Sequence, residues 1–162
     1  HNSVHNAPAG YWSIATGATC AATCLGCHDA TAAAALLRAA AETQQEDRPV
    51  LLCLYDAPMP EPLARARPTR FIFGAALVLA PRPQRGTLGR LRLDWHDRPT
   101  LTASAPRLPA LRALHAENAA AGLLPVLEAL AAGTACVLAL PLLDGQVVVD
   151  VEPCPDRASS AS

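Results

Sequence analysis

Residues 11–42, YWSIATGATCAATCLGCHDATAAAALLRAAAE, decide how the rest of the chain is read. They divide into the end of a helix, a short apolar strand over Ala18–Gly26, a sharp turn at Gly26-Cys27-His28-Asp29, and a long alanine-rich helix over Ala30–Glu42. A turn that hands a strand to a helix projects its side chains at a helix N-terminus. Unpaired N–H groups and the helix dipole favour thiolates and anions there. Asp29 stands just before a run of good helix formers, so it reads as the cap of that helix. Small residues on nearly every face (Ala30, Ala32, Ala35, Ala39) let the helix approach its neighbours closely and mark it as central.

Upstream, Asn6 and Pro8 read as the cap and first turn of an earlier helix that Gly17 closes. Downstream of a polar connector at 44–49, VLLCLY (50–55) and FIFGAALVLA (71–80) are continuous apolar runs, the pattern of strands buried on both faces. Between them Pro58, Pro60, Pro62 and Pro68 require an extended loop. Thr87–Trp95 reads as a strand near an edge, although its alternation looks imperfect. Residues 111–133 read as a helix broken near Gly122 and restarted at Pro125. Thr134–Leu140 and Gln146–Val151 are strands joined at Leu143-Asp144-Gly145, where Asp-Gly signals a hairpin. The expectation is an α/β layer architecture with a mixed sheet: one domain over 1–153 and a disordered tail over 154–162.

With 162 residues the chain is long enough for one real core. It is 51% hydrophobic and only 17% charged, which suggests that a partner covers part of its surface. A net charge of −1 without a basic block argues against nucleic acid as a ligand. No apolar run reaches the ~18 to 20 residues that span a bilayer, and no secretory signal is visible. Six cysteines without a spaced framework favour a reducing cytoplasm. The chain opens at His1, already inside an element, and reads as a piece lacking its first elements.

Cys20, Cys24 and Cys27 share the C-x3-C-x2-C spacing of three-thiolate iron–sulfur sites. They lie along an apolar segment rather than in an open loop, so small buried hydrophobes are the preferred reading. Cys53 and Cys136 read as strand core, and His96 and His115 lack ligand spacing toward Cys27-His28. No cofactor is expected.

HNSVHNAPAGYWSIATG (1–17), the strand–turn–helix after it and VLLCLYD (50–56) together resemble the N-terminal half of β-ketoacyl synthases of the thiolase fold. Within that family the resemblance is to the chain-length-factor-like branch. It runs from His1 to about Leu79, with a weaker match at GLLPVLEALAAG (122–133) and in the closing hairpin. The resemblance implies a thiolase-like half-domain whose strand at Ala18–Gly26 lies near a dimer interface. In condensing members the elbow carries the cysteine that accepts the acyl chain; here alignment puts Asp29 at that position, with Cys27 two residues earlier. Histidines of a second half-domain complete the condensing site in such members, and nothing in this chain matches them. The implied role is a catalytically silent subunit that pairs with a β-ketoacyl synthase and works with an acyl carrier protein. Polyketide, aryl-polyene or fatty-acid-type biosynthesis is the implied setting. Tyr11, Trp12, His28 and Asp29 would serve the pocket or interface, with Asp29 either a simple cap or an acyl-pocket or decarboxylation-assisting group. His1, Asn2, His5 and Asn6 would line the pocket or fix the loop. The alternative is a stand-alone condensing or acyl-transfer enzyme using Cys27 or Asp29 as nucleophile on a thioester.

Overall fold

The computed structural model describes residues 6–66 and 69–154; His1, Asn2, His5 and the tail beyond Cys154 lie outside that range. Helix α1 (Ala7–Thr16) starts with proline in its first turn and ends at Gly17, whose φ of 67° lets its N–H close on the Ser13 carbonyl. Asn6 occupies the cap position without a side-chain cap hydrogen bond, and α1 buries no residue.

The expected strand at Ala18–Gly26 is absent: these residues form an irregular, largely exposed run. Alanine is a poor strand former, and no described strand pairs with this segment. A single 3-10 turn, His28–Ala30, then leads into α2 (Thr31–Glu46). The helix begins one residue later than expected and runs four residues further, through the connector, ending at Asp47 in the left-handed region. Its cap position is Ala30, which makes no side-chain cap bond. The expected Asp29 cap is therefore displaced: Asp29 lies inside the 3-10 turn, and the hydroxyl that ties this turn is Thr31's.

Helix α2 buries Ala32, Ala33, Leu36, Ala39 and Thr43 as one stripe at helical spacing. That stripe packs against β1 (Val50–Asp56), β2 (Phe73–Leu79), β4 (Cys136–Leu142) and β5 (Gly145–Pro153), so α2 is central as expected. A short helix, α3 (Leu63–Ala66), lies between β1 and β2. Strands β1 and β2 form one sheet, while β3 (Gly89–His96), β5 and β4 form a second in the order β3-β5-β4. The α/β layering stands, but in place of the expected mixed sheet all three strand pairings among the described residues are antiparallel.

Neither apolar run is buried on both faces. In β1 only Leu52 and Leu54 are fully buried, while Leu51, Cys53 and Tyr55 face out beside Val78, Ala76 and Gly74 of β2. Hydrophobicity on both sides of a strand removes the alternation that marks the outer face, so sequence alone could not assign it. Nor are the cysteines buried: Cys20 and Cys53 are exposed and the other four are half-buried.

The second sheet alternates through most of its length, and breaks the pattern at Asp94-Trp95, both exposed, as the imperfect alternation of 87–95 implied. Leu91 and Leu93 pair with Val151 and Val149, and these with Cys136 and Leu138, on the inner face, while Trp95, opposite the buried Val147, is itself 57% exposed. Arg90 and Arg92 sit opposite Glu152 and Asp150 on the outer one. The hairpin between β4 and β5 turns at Leu143-Asp144, with Leu143 at a φ of 53°, so the loop lies one residue earlier than Asp-Gly implied. Gly145 instead begins β5, where a Cβ would collide with the His96 carbonyl oxygen of β3.

The helical stretch after β3 divides into α4 (Pro109–Glu117), a 3-10 segment Ala119–Leu123 and α5 (Leu124–Ala132), with Pro125 in the first turn of α5. The break comes at Asn118, whose side-chain oxygen accepts from the Ala120 N–H while its amide donates to the Phe71 carbonyl. Gly122 lets this segment meet α2, since a Cβ there would stand 3.0 Å from that of Ala32. Among the described residues no helix is long and apolar enough to cross a membrane.

Leu36 is fully buried at the centre of this packing. Leu36→Ala should lower unfolding free energy by about 2–5 kcal/mol in urea titrations, the range for emptying a well-packed leucine site. Gly145→Ala should also destabilise, because backbone rather than a movable side chain blocks the added methyl.

Candidate functional site

The elbow is held by a compact set of hydrogen bonds. The Cys27 N–H donates to Thr31 Oγ1 at 2.9 Å, and that hydroxyl donates to the His28 carbonyl at 2.7 Å. The Ala30 N–H closes the turn on the Cys27 carbonyl at 3.0 Å. His28 takes a φ of 49°. The left-handed region is unfavourable for a residue with a Cβ, typically by about 1–2 kcal/mol, and such conformations gather at functional turns. Thr31 therefore satisfies the backbone around a conformation that the local chain would not choose alone.

Cys27, His28 and Asp29 line a cleft of about 710 Å³. The opposite wall comes from the end of α4 and the turn after it, with His115, Glu117 and Asn118, and from the β4–β5 hairpin at Pro141 and Leu143. Thr69 and Ser104 add hydroxyl-bearing side chains to the lining. Ser104 is already engaged: its Oγ accepts from the Ala139 N–H and its N–H donates to the Ala139 carbonyl, both at 2.9 Å. The small side chains of Ala32 and Ala33 form part of the lining beside the elbow and leave it open.

Helix α4, which carries His115, is anchored at its start by Glu128 of α5. The two Glu128 oxygens accept from the backbone N–H groups of Arg107 and Leu108, at 2.6 and 2.9 Å. Those bonds stabilise the carboxylate and hold its pKa below the ordinary value. At the other end, Glu117 pairs with Arg70 at 3.8 Å. Burial pushes the His115 pKa below its ordinary 6.5, because desolvation penalises the imidazolium. At neutral pH His115 is accordingly an uncharged imidazole, able to accept a proton.

A smaller cleft of about 330 Å³ lies between α1 and the irregular run, lined by Asn6, Ser13, Cys20 and Cys24 among others. The structure thus separates the three closely spaced cysteines: Cys20 and Cys24 line this cleft and Cys27 the larger one. Among the described residues no group of three or more His, Cys, Asp or Glu is placed to hold one metal ion. Tyr11 and Trp12, expected at a pocket or interface, are 73% and 52% exposed on α1 and line neither cleft.

Sequence reasoning found the elbow triplet but missed the wall facing it. His115 has no ligand-like spacing to the elbow, yet α4 brings it to the elbow's cleft from far along the chain. Asn118 carried a usable signal: an asparagine at a helical break is a favoured cap, and its bond to the Ala120 N–H is that interaction.

Two outcomes follow from this geometry. Thr31→Ala should cost about 0.5–1.5 kcal/mol of stability, the net worth of an intramolecular hydrogen bond, while Thr31→Ser should retain most of it in the same denaturation assay. For His115, a lowered native pKa means that the unfolded chain binds the proton more tightly. Its contribution is then complete above the ordinary 6.5 and declines as pH falls through that value. Thermal midpoints recorded from about pH 7 down to about pH 5 should fall, and His115→Gln should flatten that dependence.

No curated protein and no solved structure matches the chain. A family model described as "Beta-ketoacyl synthase, N-terminal domain" matches residues 2–135, a span that includes α1, the elbow, α2, β1 to β3 and the α4–α5 wall of the cleft. The chain belongs to the β-ketoacyl synthase N-terminal domain family.

Proposed function

We propose that this protein is a non-catalytic, chain-length-factor-like subunit that pairs with a β-ketoacyl synthase and acts with an acyl carrier protein in the cytoplasm. Polyketide, aryl-polyene or fatty-acid-type biosynthesis is the setting. The observation that carries the reading is the elbow. Asp29 lines the cleft from a 3-10 turn ahead of α2 in a chain of the ketosynthase family, and this reading sets it at the acyl-acceptor position. A carboxylate is a poor acyl acceptor beside a thiol, because the anhydride it would form is far more reactive than a thioester. A silent subunit needs only a wall for the growing chain and a surface for its partner. The alanine-lined end of α2 and the cleft in front of it suit the first task. In this reading residues 1–153 act as one domain and 154–162 as a tail.

A second reading has one observation in its favour: Cys27 and His115 line the same cleft. A thiol with an uncharged imidazole in the same cleft has the ingredients of a stand-alone acyl-transfer enzyme.

The test is co-expression with the synthase encoded nearest to it, purification through a tag on one subunit, and elongation assays with each protein alone and together. Co-purification, with elongation by the pair only, is the expected result. Asp29→Ala should then change product length more than rate, with Cys27→Ser close to wild type. Condensation by this protein alone, abolished by Cys27→Ser, would replace the proposal with the second reading.

A further inference from the structure

We draw no further inference here: the strongest candidate, the uncharged outward face of the β1–β2 sheet formed by Leu51, Cys53, Tyr55, Ala76 and Val78, carries nothing because no feature of the structure shows what covers it.

Discussion

Everything in this fold depends on how closely α2 can approach its neighbours. One stripe, Ala32, Ala33, Leu36, Ala39 and Thr43, meets strands of both sheets, and at its N-terminal end it meets the 3-10 segment 119–123. Alanine and glycine at the crossing point, Ala32 against Gly122, leave no room for a larger side chain. Leu36 fills the space between the layers and is wholly excluded from water. Because interiors are close-packed, the position of α2 also fixes the elbow at its start. The cleft in front of that elbow is a consequence of the same packing.

The elbow turns this scaffold into a chemical setting with a restricted repertoire. His28 in the left-handed region, and Thr31 bridging the Cys27 N–H and the His28 carbonyl, hold the three side chains 27–29 at the mouth of α2. The opposite wall supplies His115 in uncharged form. A condensing enzyme needs a thiol at the acceptor position and bases around the thioester carbonyl. Here Cys27, His28 and Asp29 line the cleft together with His115.

Much of the fold was legible in sequence, and the exceptions have physical causes. The central helix, the β1, β2 and β3 strands, the helical break and the final hairpin are all present, because each carries a local signal. Leu91 and Leu93 alternate with Arg90 and Arg92, and the structure uses that alternation directly. No strand forms at Ala18–Gly26 because apolar character does not by itself supply pairing, and a strand exists only where a partner supplies hydrogen bonds. The cysteines and the outer face of β1 lie open for the same reason, since composition does not say which surfaces meet. In the site, the elbow was visible as a turn before an alanine-rich helix. His115 is not, because nothing local links α4 to residue 28; the 119–123 segment, which packs against α4, the elbow turn and α2, makes the connection.

The most direct measurement of the central claim is intact mass after incubation with a short-chain acyl thioester of pantetheine, followed by peptide mapping. The account predicts an unmodified chain under conditions that fully acylate a condensing synthase, with Asp29 and Cys27 both free of acyl groups. A stable single acyl adduct mapped to Cys27, lost in Cys27→Ser and slowed in His115→Gln, would contradict it and make the protein an acyl-transfer enzyme in its own right.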